Sequence, residues 1–108
     1  MDDRALIRSV ADRLEALAAR TTAGDWRTSG LLASRPEIVA HRSDGGTEHV
    51  AEARERTAAW LTALSPAVAP HLVTLLRVAG AADRLEPAAI DLARVLDTRL
   101  DRSETSDG

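Results

Sequence analysis

A chain of 108 residues, 44% apolar and carrying a net charge of −3, has the size and composition of one small globular domain. It contains no cysteine, which excludes disulfides, thiolate nucleophiles and thiolate zinc sites. All 14 basic residues are arginines, spread from Arg4 to Arg102 among 17 acids, so no cationic block exists to release counterions from a nucleic acid.

The only aromatic residues are Trp26 and Trp60, so the core must come from Leu, Val, Ile and Ala. Alanine buries little area, which implies modest stability or completion by self-association. The start, MDDRALIRS, is acidic where a signal peptide would be basic, and no apolar run approaches the roughly 18 residues of a membrane span. The expected location is cytoplasmic, with no membrane partner.

Asp2 and Asp3 suit the start of a first helix, and Leu6, Val10, Leu14 and Leu17 recur at helical spacing as far as Arg20. Arg8 and Asp12 stand at the i,i+4 spacing of an ion pair. Gly24 then turns the chain, and Trp26 opens an extended segment, where it reads as a plug between helix and sheet. Gly30 to Ala33 suggests a short strand, Arg35-Pro36 a turn, and Glu37 to His41 a second strand. Asp44-Gly45 is the two-residue signal of a type I′ hairpin. That register sets Val39 against Val50 and His41 against Glu48, and a one-residue slip pairs His41 with His49 instead.

Thr57, Trp60, Leu61 and Leu64 share one face of the helix that follows. Ser65-Pro66 stops it and starts the next, with Ser65 as N-cap and Pro66 in the first turn. Val68, Leu72, Leu75, Leu76 and Ala79 form that helix's apolar stripe, Pro70 disturbs its first turn, and Gly80 suits its C′ position. Pro87 opens a last helix whose Ala89, Leu92, Ala93, Leu96 and Leu100 face one way. Residues 1–102 are thus expected as a single α+β domain: an N-terminal helix, a small antiparallel meander of two or three strands, then three C-terminal helices. Residues 103–108, SETSDG, have nothing to bury and read as a disordered tail.

Reactive chemistry finds little support. His41 and His49 could approach across the hairpin with Glu37 or Glu48, but a metal needs three or four converging ligands and no H-x-x-x-H spacing exists. No G-x-S-x-G elbow is present, and Asp44-Gly45-Gly46 leads into a strand rather than a helix, so it is no phosphate cradle. No catalytic residue, metal ligand or cofactor site is therefore assigned. Trp60 reads first as core and second as an anchor for a protein partner or a second copy, with His71 as a further interface residue. Arg27, Arg35 and Arg42 are the residues a nucleic acid would contact.

The turn Thr21-Thr22-Ala23-Gly24-Asp25-Trp26, the segment Thr47 to Ala53 and the helix Ala58-Ala59-Trp60-Leu61-Thr62-Ala63 follow one another along the chain. With Ser65-Pro66 and Leu72-Val73-Thr74-Leu75-Leu76, the chain resembles a group of small proteins from actinobacteria and their phages, akin to the Ead-like early phage proteins. That group carries Ala-Thr-Pro-Gly-Pro-Trp at the turn, where this chain has Ala23 and Asp25 in place of the prolines. The resemblance implies an α-β-β-α-α order and transfers no site. The expected function is a non-enzymatic interaction or regulatory module, such as a phage-derived accessory protein. The alternatives are a nucleic-acid-binding regulator and, third, a small-molecule enzyme.

Overall fold

The structure is a computed structural model and describes residues 1–30 and 36–106. It is α+β: an N-terminal helix, a three-stranded antiparallel sheet, then helices. The order is α1 (Asp3–Arg20), β1 (Asp25–Ser29), β2 (Glu37–His41), β3 (Thr47–Glu52), α2 (Glu55–Ala63), a 3-10 turn (Pro66–Val68), α3 (Ala69–Ala81) and α4 (Pro87–Ser106). The chain forms two compact units: Met1–Leu17 with His71–Gly108, and Ala18–Pro70.

In the first unit, Ile7, Val10 and Ala11 from α1 meet Val73 and Leu76 from α3 and Ala93 and Leu100 from α4. The spacing of Ile7, Val10 and Ala11 is one helical face, so their apolar groups leave water together. Gly80 is not a C′ residue as expected: it lies inside α3 and is buried. A Cβ there would stand 3.1 Å from Ile7 Cγ2, so glycine is what lets α1 and α3 approach closely. The end of α3 is held instead by Arg4, whose Nη1 donates to the carbonyl of Gly80 and to that of Ala82 at 2.7 Å.

At the start of α1, Asp2 Oδ1 accepts from the Ala5 amide at 2.7 Å, the capping bond expected of it. The expected Arg8–Asp12 pair does not appear, because Asp12 is taken by Arg77 of α3 at 2.9 Å. Arg77 also reaches Glu15 at 3.2 Å, and the Asp12 hydrogen bond is the main reason its guanidinium holds its proton more tightly than usual. Arg13 bridges α1 to α4 through Asp97 and, at 2.7 Å, Asp101. These pairs are half exposed, so each is worth only some 0.2–1 kcal/mol and fixes helix register more than it stabilises.

In the second unit the strand order is β1-β2-β3. Val39 pairs with His49, Ala40 with Glu48 and His41 with Thr47, while Ile38 pairs with Ala51 across a bulge. Beyond the bulge, Glu37–Glu52 and Ile38–Ala51 keep the expected register; between the bulge and the turn it is displaced by one residue, so His41 meets neither Glu48 nor His49. A type I′ turn on Asp44-Gly45 needs positive φ at both residues, but only glycines take positive φ among the described residues, Gly45 at +86° being the one in this turn. The turn therefore moves back a residue: Gly45 N donates to Arg42 O at 3.0 Å, and Arg42 N to Gly46 O at 2.9 Å. Ser43 and Asp44 become its centre, and Asp44 Oδ1 accepts from Gly46 N at 2.7 Å. The strand expected at Gly30–Ala33 falls on Leu31–Ala33, outside the described residues; the extended segment opened by Trp26 is β1.

Ile38 and Ala40 are fully buried on one face of β2, and α2 packs on the sheet with Ala58 fully buried. Trp60 is not core. It is 67% exposed, because the inward face of α2 runs through Ala58, Leu61 and Thr62 instead. Trp26 is half-buried and its indole N–H donates to Thr22 O at 3.1 Å, closing the α1–β1 turn.

Pro66 begins the 3-10 turn as expected, but Ser65 makes no side-chain capping bond; its backbone is extended there and the residue is 2% exposed. Only Leu64 and Ser65 separate α2 from the 3-10 turn, so Arg56–Ala81 counts as one helical segment of 26 residues, and the described residues hold three helical segments, α1, this one and α4, rather than the four expected. The expectation that no apolar run approaches the length of a membrane span is corrected: by length and composition this segment is apolar enough to cross one, with 17% of its apolar window buried. Pro66 and the paired Arg77 interrupt it. α4 stays helical through Ser106, into the stretch read above as a tail.

Candidate functional site

Two surfaces of the second unit carry the residues singled out by the sequence. The first is the outer ridge of α2. Trp60 is 67% exposed, and Leu64, one turn on at the C-cap, is 56% exposed. Their neighbours Thr57, Ala59 and Ala63 are small and exposed. A free Trp-Leu pair at i,i+4 is a ready apolar anchor, since both can be desolvated by one contact.

The second surface is a shallow cleft of about 580 Å³ between the α1–β1 turn and the β2–β3 turn, lined by Gly24, Asp25, Arg27, His41, Arg42 and Asp44 among others. Gly24 builds it: at φ +113° it sits where a Cβ would meet the His41 carbonyl oxygen at 2.7 Å, so the two turns close on each other only with glycine there. Arg27 and Arg42 both line this cleft, which brings together two of the three arginines proposed for nucleic acid. Arg35 lies outside the described residues.

Each cation there has an acid beside it. Arg27 Nε meets Asp25 Oδ2 at 3.0 Å, while Arg42 meets Asp44 at 3.5 Å and Glu48 at 3.6 Å. The Gly46 amide, followed by the charge of Arg42, holds the Asp44 carboxyl below the usual carboxylate range. The cleft is therefore electrically balanced and offers a phosphate chain no net attraction.

The open face of the sheet continues this pattern. Asp25 stands opposite His41, Arg27 opposite Val39, and Val39 opposite His49. His49 Nδ1 meets the Glu37 carboxylate across the strands, a pairing the sequence suggested only as a metal-binding option. Among the described residues, no group of three or more His, Asp or Glu is placed to hold a metal ion.

His71 belongs to the first unit and is exposed in the first turn of α3. Sequence periodicity missed two further exposed positions. Leu75 and Leu92 fall on the expected inward stripes, yet they are 63% and 38% exposed, as are Val78 at 64% and Val95 at 56%. For Leu75 the signal that could have found it is the near absence of charge on α3, which leaves its outer face apolar as well. Comparison with protein-family models, with curated proteins and with solved structures finds no match to this chain.

Proposed function

We propose that the protein is a non-enzymatic interaction module that holds a protein partner through the outer ridge of α2. The observation behind this reading is Trp60, 67% exposed, with Leu64 one turn away. A tryptophan left in water forgoes a large burial gain, and Trp is the residue most enriched where binding energy concentrates. A regulatory role as a phage-derived accessory protein in the cytoplasm belongs to the same reading and rests on the resemblance and the composition.

The test is capture from the native source with the full chain as bait, comparing wild type with Trp60→Ala and Leu64→Ala. A specific partner is captured by wild type and lost from both variants at unchanged helicity. A partner retained by Trp60→Ala refutes the ridge. Nucleic acid is the second reading, supported by Arg27 and Arg42 lining one cleft and opposed by Asp25 and Asp44 beside them. It requires a gel shift at low salt that Arg27→Ala and Arg42→Ala weaken.

A further inference from the structure

The first unit has an apolar surface that the α2 ridge does not use, on the outer side of α4. At about 100° per residue, Val95 stands on the opposite side of α4 from fully buried Ala93. Ala88, Leu92, Val95 and Arg99 follow one another at steps of four, three and four residues, the spacing of a helix-pairing seam, and all four are exposed. The side of α4 that faces α1 is already engaged: Asp97 and Asp101 hold Arg13, and Arg94 reaches Asp3 at 3.3 Å. Asp91 and Arg99 border the outer seam instead, and neither has an ion pair or side-chain hydrogen bond among the described residues.

We propose that two copies of this chain pair through α4, antiparallel, about a two-fold axis that sets Leu92 of each copy against Val95 of the other. The charges select this arrangement. In the antiparallel pair each Arg99 extends across the second copy's Ala88 toward its Asp91, one turn away, so the two unpaired charges answer each other twice. A parallel pair places Asp91 on Asp91 and Arg99 on Arg99, like on like. The surface is also self-complementary, as a two-fold contact requires. An anionic membrane fits less well, because Asp91 lies on the rim of the seam and no excess of cations accompanies it.

Sedimentation velocity on the full chain decides. Wild type is expected as a reversible dimer with a Kd in the micromolar range of small interfaces, read at up to about 100 μM. Leu92→Asp with Val95→Asp is expected to leave a monomer. Asp91→Arg and Arg99→Asp alone each weaken the dimer about fivefold, and together they restore it to within about twofold, because the exchanged charges meet again. These charge variants sit on exposed positions, so the prediction survives even if the apolar double variant fails to fold. A wild-type monomer at every concentration, a dimer indifferent to Leu92 and Val95, or a double reversal no better than its single members overturns the proposal. So does a monomer that co-sediments with anionic phospholipid vesicles through the same residues. Partner capture through Trp60 is expected to be unchanged in the α4 variants, so this inference and the functional reading fail separately.

Discussion

Gly24 and Gly80 illustrate two distinct uses of a missing side chain. At Gly24 both the backbone, at φ +113°, and the space, with the His41 carbonyl oxygen 2.7 Å from a Cβ, exclude any other residue. Gly24→Ala is expected to cost about 1–3 kcal/mol in urea unfolding followed by circular dichroism. Gly80 has ordinary helical geometry, and only the 3.1 Å approach to Ile7 Cγ2 argues for it. Gly80→Val should destabilise by about 1–3 kcal/mol through overpacking. Gly80→Ala should cost less, since a gain in helix propensity of about 1 kcal/mol offsets part of the crowding. Asp44 makes a third prediction, with its sign fixed by its depressed pKa. Its contribution to the turn is fully present above the ordinary carboxylate pKa and is lost only as pH falls through the lower folded value. An NMR titration of the Gly46 amide should therefore show a midpoint below that of a free aspartate, and Asp44→Ala should abolish the transition.

At the scale of elements, the sequence placed β2 and α1 closely and misplaced faces more than boundaries. Asp44-Gly45 marked the hairpin correctly, but the choice between turn types rests on one residue of φ, and Asp44 does not take the positive value a type I′ turn demands. Between the turn and the bulge beside Ile38 the register is displaced by one residue, in keeping with that backbone preference. On α2 the expected inward stripe is Thr57, Trp60, Leu61 and Leu64, whereas Ala58, about 200° round the helix from Trp60, marks the face that is buried. That face packs on the sheet, which is why Ala58 is fully buried and Trp60 is not. Trp60→Ala should accordingly change stability by no more than about 0.5 kcal/mol by thermal melting, the behaviour of an exposed site. A loss several times larger would mean that the indole is packed after all.

At the scale of the molecule, two compact units share one short chain, with Ala18–Pro70 inserted between the two segments of the other. The first unit is tied by ion pairs between α1 and α3 and between α1 and α4, all of them at least partly exposed. Exposed pairs are screened within about a Debye length, so raising NaCl to roughly 1 M should alter stability by less than about 1 kcal/mol. A steep salt dependence in denaturant titrations would show that these pairs carry the fold rather than align it.

By itself the sequence determined the α+β class, the capped first helix, the hairpin's position and the absence of cysteine chemistry, because these depend on local period, composition and turn residues. Only the tertiary structure decided which apolar residues stay outside. Helical spacing says that Trp60, Leu75 and Leu92 can lie inward, but each helix has room for one buried stripe, and the packing of small residues such as Ala58, Gly80 and Ala93 determines where it runs. The residues displaced by that choice, Trp60 on α2 and the Leu92–Val95 seam on α4, are the surfaces on which the proposed contacts rest.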